Sequence, residues 1–381
     1  MNTKKNTRKT VLVFGIGKLG GPFVDTLCMH FPHHRFVLVS RDKERSQKRA
    51  NLSQYLALQW GLAPDVIGEE SNLQDISRTA ELINKYNPDI VLNATTPFPF
   101  WKINHLPERE RMLAESAGMG VWCAFDCWLP LCLTTALSMA ASAAVHVNAT
   151  YPDMTNAFLS SLDCKPQIGI GNISNLVPGL QLAFARELSV SPEKIEIRMV
   201  GHHYVSYNAQ NREGCSNAPY DLTVIHPDGK LHFRGPNDAP FAILRRNASR
   251  VKGLEGYGVS IGSAATVVAT LLGSSQKKHH CPGAKGLPGG YPVQIDADGR
   301  VKLNLSDELS EQEAVALNIQ AQVLDGISHV EAGRVIASPK AQEAHSEIVG
   351  IDLSEVTLSN VSELSLDILA RLNKRYSLGI G

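Results

Sequence analysis

An excess of charge of either sign is the first thing missing from this sequence: 37 Lys and Arg balance 37 Asp and Glu over 381 residues. With aromatic residues at only 6% and no stripe in which they interleave with basic ones, the electrostatic footprint of a nucleic-acid-binding protein is absent. Paired CxxC spacing is also missing. The seven cysteines are an odd number, and Cys123, Cys127 and Cys132 are separated by three and four residues, so neither a zinc site nor a disulfide framework is expected. We expect seven free thiols in a reducing compartment. The polar start, Met1 to Thr10, is not followed by an apolar stretch of secretory length, because Val11 to Phe14 runs directly into Gly15. A cytoplasmic protein is the expectation. The uncharged stretch from Trp128 to Val145 approaches the length of a membrane span. Its filling of Ala, Ser and Thr around Pro130 reads instead as a buried helix leading into a buried strand. The run from Gly256 to Gly273 reads as a second small-residue packing helix. Apolar residues at 43% suffice for a large core and exclude wholesale disorder.

What is present has two grammars. Up to about residue 150, strand-like runs (11–14, 36–39, 89–92, 121–125 and 143–147) alternate with helical ones (18–31, 73–85, 108–117 and 128–141). Such alternation predicts an α/β fold, a doubly wound parallel sheet covered on both faces. Beyond it come a helix opening at Asp153, a strand ending at Gly171, a helix over 180–188 and a strand over 195–201. Hairpin signals follow at His226-Pro227-Asp228-Gly229 and Asp298-Gly299, then a capping box, Ser310-Glu311-Gln312-Glu313, and an amphipathic helix over 360–376. The expected organisation is a polar tail (1–10), a Rossmann dinucleotide-binding domain (11–150) and an α+β catalytic domain (151–381).

Gly15-Ile16-Gly17-Lys18-Leu19-Gly20 stands between the first strand and the first helix. Gly15 permits the tight turn, Gly17 lets backbone approach a pyrophosphate, and Gly20 lets helix and strand pack closely. The helix start, with Lys18 and Leu19, then offers unpaired N–H groups to phosphate. At the tip of the second strand, where NAD sites usually carry an acidic residue, the chain has Ser40-Arg41. Ser40 can donate to a 2′-phosphate and Arg41 can pair with it, with Lys43 and Arg45 close by, so NADP is favoured over NAD. The alternative is that Asp42 serves an NAD ribose. Asn93 and Thr95, at the carboxyl end of a later strand, are further candidates for the cofactor site.

His202 and His203 follow a strand end at Gly201, where a histidine can exchange the proton that accompanies hydride transfer. The order Val147-Asn148-Ala149-Thr150, Ile168-Gly169-Ile170-Gly171-Asn172 and Gly201-His202-His203 resembles the catalytic half of lactate and malate dehydrogenases over roughly 143–330. That resemblance implies that His203 is the acid/base histidine, with His202 in place of a Glu, and that Asn148 lines nicotinamide and substrate. It also implies an Asp and an Arg between Asn172 and Gln181. Here Asn175 stands near the Asp position and no Arg is present, so Asn175 is expected to orient the imidazole, and simple 2-hydroxy-acid chemistry is not implied. Family 4 glycoside hydrolases share the architecture but need a metal-holding Cys near Gly171, where this chain has Asn172, Ile173 and Ser174. His279-His280-Cys281 is read as part of a loop that does not converge on one ion; no metal is expected.

Asn87-Pro88-Asp89-Ile90-Val91-Leu92-Asn93-Ala94-Thr95-Thr96-Pro97-Phe98, with Ala117-Gly118 before an expected strand ending at Asp126, resembles the NADP-binding domain of saccharopine dehydrogenase-like proteins over about 11–130. Together these features predict an NADP-dependent oxidoreductase moving hydride to or from a C=O or C=N carbon of a small polar, carboxylate-bearing substrate. Lys102, Arg109 and Arg111 are candidates to hold that carboxylate, with surface placement the competing reading. The expected partners are a small-molecule substrate and a second copy in a homodimer, with neither nucleic acid nor membrane. The alternatives that the sequence leaves open are an NAD- and metal-dependent glycoside hydrolase like those of family 4, and a dinucleotide-binding sensor without turnover.

Overall fold

The computed structural model describes residues 8–211, 215, 217–251 and 253–379. The tail expected at 1–10 lies outside the described residues as far as residue 7. Six short strands, β1 (Thr10–Phe14), β2 (Arg35–Ser40), β3 (Asp65–Glu70), β4 (Ile90–Asn93), β5 (Val145–Asn148) and β6 (Ile168–Gly169), form one parallel sheet in the order β3-β2-β1-β4-β5-β6. The order reverses between β1 and β4, and at such a point a parallel sheet opens a crevice at the carboxyl ends of its strands. Phe14 is in register with both Val39 and Asn93, so the turns after these strands reach the crevice at one level.

The helices between the strands are α1 (Gly20–His30), α2 (Lys43–Leu58), α3 (Ile76–Tyr86), α4 (Glu108–Ala117) and α5 (Cys123–Met139). Neither α2 nor β3 was legible as an apolar run. The buried face of α2 consists of Ser46, Ala50, Ser53 and Ala57, too small and polar to mark a period, and its start is fixed by the Asp42 side chain accepting from the Arg45 N–H at 2.9 Å. The strand expected over 121–125 is corrected: those residues pass from a 3₁₀ turn (Met119–Trp122) into α5. A short continuous apolar run reads alike for a buried strand and an all-round buried helix. The combined helical run Met119–Met139 is apolar and long enough to cross a membrane, yet 83% of its most apolar window is enclosed by the rest of the chain. Pro130 lies inside it and removes the N–H that would bond the Asp126 carbonyl. Thr155 Oγ1 donates to that carbonyl instead, at 3.2 Å.

Beyond β5 the chain forms α6 (Pro152–Phe158), α7 (Ile173–Glu187), β7 (Glu196–Val200), α8 (His203–Asn208), β8 (Asp221–His226), β9 (Gly229–Arg234), α9 (Ala239–Ala248) and α10 (Gly258–Leu271). Then come β10 (Lys278–Pro282), β11 (Gly290–Ile295), β12 (Val301–Leu303) and α11 (Glu311–Leu324), the last opened by the full Ser310/Glu313 capping box. The chain ends with β13 (Ile327–Glu331), β14 (Arg334–Ala337), α12 (Pro339–Val349), β15 (Glu355–Thr357) and α13 (Val361–Tyr376). Strands β7–β9, β10–β12 and β13–β15 form three antiparallel sheets. One face of the parallel sheet is buried with α1, α10 and residues of β10–β11 such as Tyr291 and Val293. The other shares its core with α5 and with Ile327, Val335, Ile348 and Leu372. The residues from 327 onward thus return to the half of the molecule built by 11–150, which β6 also extends. All seven cysteines are free thiols.

Candidate functional site

A single cavity of about 640 Å³ runs along the crevice at the sheet's switch point, within the roughly 300–1,000 Å³ typical of cofactor and substrate sites. Its first end is the glycine turn. Gly15 has φ +94°, and a Cβ there would lie 2.4 Å from the Ala94 carbonyl oxygen, so only glycine fits between the tips of β1 and β4. A Cβ on Gly17 would meet nothing within 4 Å, which leaves that backbone open to a ligand. No side chain caps the start of α1, and no acidic residue stands in its first turn. The Gly21 N–H bonds the Gly17 carbonyl at 3.3 Å and Pro22 has none, so the Leu19 and Gly20 N–H groups are the ones left to meet an anion. Gly15, Gly17, Lys18 and Leu19 line the cavity, as do Ser40, Arg41, Asp42, Arg45 and Thr95, whereas Gly20 is the packing glycine beneath. Asp42 is engaged as the cap of α2, and Lys43 turns away to Glu69 and the Gly68 carbonyl. These residues fit a dinucleotide pyrophosphate and a ribose that meets hydroxyl and guanidinium groups.

The other end holds His203. Its Nδ1 lies 2.7 Å from Asp325 Oδ2, and the same oxygen accepts from the Tyr151 hydroxyl at 2.5 Å. Asp153, fully buried on α6, accepts from the His203 backbone N–H at 2.9 Å and from the Asn172 side chain, fixing where α8 begins. Burial alone would lower the His203 pKa, but the Asp325 carboxylate, aided by Asp153, holds it above the ordinary value of 6.5. Burial would raise Asp325, yet the two histidines and the Tyr151 hydroxyl bring it down to about 2. Asp325 therefore favours the charged form of the imidazole; the carboxylate is buried, while the His203 ring also lines the cavity. With Nδ1 committed, Nε2 is the ring atom left to exchange a proton with a ligand.

Asp325 reaches this place through a close backbone crossing. It follows α11, in the turn Asp325-Gly326, and Gly326 has φ +85°. A Cβ on Gly120 would lie 1.9 Å from the Gly326 carbonyl oxygen, and one on Gly326 2.3 Å from that of Ala117. The Gly120 N–H donates to the Asp325 carbonyl at 2.9 Å. Tyr151, in the left-handed region at φ 40°, is likewise held in a strained conformation by its surroundings.

The structure corrects several sequence expectations. Asn175 does not orient the imidazole: its Nδ2 donates to Ser260 Oγ at 2.9 Å, although the residue lines the cavity. Asn148 does not line it. Its amide donates to the Thr150 carbonyl and Asn156 Oδ1, and its oxygen accepts from Asn93 Nδ2 and the Thr150 N–H, so all its bonding capacity is spent inside the protein. Asn93 is used up in the same buried network with Thr95 and Thr150. His202 is fully buried, with burial holding its pKa down. It sits 3.7 Å from Asp325 and takes the N-cap position of α8. Lys102 donates to the Leu378 carbonyl, Arg109 pairs with Glu347 and Arg111 with Glu115, so none of the three offers its charge to the cavity. His279, His280 and Cys281 lie on β10 rather than in a loop, where successive side chains alternate in direction. His279 bonds Thr270 Oγ1, and His280 accepts from the Met199 N–H. Among the described residues no cluster of three His, Cys, Asp or Glu is placed to hold a metal ion.

Asp325 escaped the sequence reading because it is 122 residues from His203, beyond any motif spacing. Its one visible signal was the Asp-Gly turn after a capped helix.

No protein-family model and no curated protein sequence matches the chain. Solved structures do. Lactate dehydrogenase from Eimeria maxima, determined with NADH and oxamate, superposes with a TM-score of 0.56 at 15% identity, over 85% of this chain and 94% of that one. Malate dehydrogenase from Picrophilus torridus gives 0.54 at 16%, over 84% and 97%. That from Plasmodium falciparum gives 0.53 at 13%, over 88% and 99%. The chain has the lactate and malate dehydrogenase fold. At these identities the likeness establishes architecture, and the chemistry must be argued from the site.

Proposed function

We propose that the protein is a nicotinamide-dinucleotide-dependent oxidoreductase acting at a C=O or C=N carbon of a small substrate. The observation that carries this reading is the His203–Asp325 pair at one end of the cavity whose other end is the capless glycine turn. The turn and the start of α1 hold the pyrophosphate, Lys18 adds charge, and the tip of β2 receives the adenosine ribose. Arg41 and Arg45 favour a 2′-phosphate, hence NADP over NAD; the Ser40 hydroxyl is engaged with Asp42 and Ser46, and Asp42 Oδ1 caps α2. When bound, the nicotinamide supplies or accepts hydride. His203 gives the accompanying proton to the substrate heteroatom in reduction and takes it in oxidation. Asp325 keeps the imidazole oriented and stabilises its cation. Asp153 and Asn172 set the position of the ring through its backbone. Solved relatives of this fold carry NADH or NAD, so the phosphate preference belongs to this chain's own residues.

The test is tight binding of NADPH to the purified protein, followed by oxidation of bound NADPH across a panel of carbonyl compounds, with and without amines. Turnover abolished in His203→Ala while NADPH binding persists supports the reading. Tight binding without turnover on any member of the panel would identify a sensor instead, and absence of binding would remove the proposal altogether.

A further inference from the structure

Three of the chain's four tryptophans, Trp101, Trp122 and Trp128, line this one cavity. Phe125 and Phe98 continue the wall, with Phe98 stacked on Trp122 at 4.6 Å and Trp122 parallel to Phe125. Tyr207 stacks on the His203 ring. In a chain so poor in aromatics, this concentration makes the space beside the imidazole apolar. Two side chains that line the cavity have a buried polar atom without a partner, Asn175 Oδ1 and Asp126 Oδ2, and the second is the carboxyl set beside the aromatic wall. Asp126, on the first turn of α5, lines the cavity, is only 8% exposed, and its Oδ2 has no hydrogen-bond partner. Among the described lining residues the cations lie at the dinucleotide end, Lys18, Arg41 and Arg45, whereas His203 is already neutralised by Asp325.

We propose that Asp126 is a substrate-binding residue whose carboxyl hydrogen-bonds an uncharged carbonyl substrate with an aromatic or branched apolar body. This rests on the oxidoreductase reading above and names its substrate class. An unpartnered buried carboxylate is costly, so the group keeps its proton. Burial pushes it up to about 8, His203 draws it down, and Asp325 raises it again. Tyr151 from the β5–α6 turn and Cys123 and Cys127 on its own helix also face it, all three shifted upward and uncharged near neutrality. A protonated Asp126 is a donor, and the oxygen it awaits belongs to the ligand. A substrate carboxylate would have to be desolvated against the Asp325 and Asp153 charges with no added cation from the described wall.

Phenylacetone and phenylpyruvate test this, since they differ by methyl against carboxylate. Binding to the NADPH-loaded protein is read by tryptophan fluorescence. Phenylacetone should bind at least about tenfold more tightly, and lose about tenfold or more in Asp126→Ala, whereas Asp126→Asn, which presents an amide donor, recovers most of that loss. Phenylacetone affinity should fall as pH rises through about 8 in the native protein and stay level in Asp126→Asn. Preference for phenylpyruvate, or an Asp126→Ala variant that binds phenylacetone as the native protein does, overturns the inference while leaving the cofactor reading intact. Failure of NADPH itself to bind removes the underlying reading instead.

Discussion

Asp325→Asn is the substitution that presses hardest on the acid–base account. It preserves the volume of the side chain and deletes the charge. Asp325 is drawn from 3.8 to about 2 in the folded protein; at about 1.4 kcal/mol per decade this is about 2 kcal/mol of native-state stabilisation. A depressed carboxyl contributes that stability above its unfolded value and loses it as pH falls through about 2. His203 is raised, so its contribution is complete below 6.5 and disappears as pH rises through the folded value. The variant should therefore be less stable by about 2 kcal/mol near pH 5, and the difference should shrink toward strong acid and toward alkaline pH. In the variant burial is left to dominate, so the His203 titration moves below 6.5. Reduction at pH 7 then loses its proton donor and slows by about a hundred- to ten-thousandfold. Proton NMR of the His203 ring, denaturant titration and the pH–rate profile read the three consequences. An unshifted His203 titration with unchanged turnover would refute the reasoning.

Gly120→Ala forces a methyl into the Gly326 carbonyl and should displace Asp325; lowered His203 basicity together with lowered stability is the expected pair of readouts. Asn148→Ala strands Asn93, Thr150 and Asn156, and should cost about 1–3 kcal/mol by urea melting while leaving NADPH affinity nearly unchanged, since Asn148 lies off the cavity. Arg41→Ala should weaken NADPH binding by roughly 1–3 kcal/mol, as for loss of a charge-assisted bond, and leave NADH affinity nearly unchanged by calorimetry. Equal losses for both nucleotides would mean that Arg41 does not read the 2′-phosphate.

The parts of this molecule legible in sequence are those fixed by local chemistry. The glycine turn, the two hairpins and the Ser310/Glu313 box each declare their geometry within a few residues, and the structure places them accordingly. The unbroken apolar strands likewise gave the Rossmann sheet. The misreadings come from degenerate patterns or from topology. Residues 121–125 are equally apolar as strand or buried helix, and α2 hides its core face in Ser and Ala. His203, the histidine proposed for acid–base work, was nameable because it follows a strand end, but its carboxylate partner arrives from a distant part of the sequence through a backbone crossing. Resemblance to the dehydrogenases pointed to Asn175 for that role; folding delivered Asp325.

The most direct measurement of the central claim is a crystal structure of the protein with NADPH. The account predicts the pyrophosphate on the Gly15–Leu19 backbone, the 2′-phosphate beside Ser40 and Arg41, and the nicotinamide facing His203 across the space walled by Trp122 and Trp128. A nucleotide bound elsewhere, or a nicotinamide directed away from the His203 ring, would contradict it.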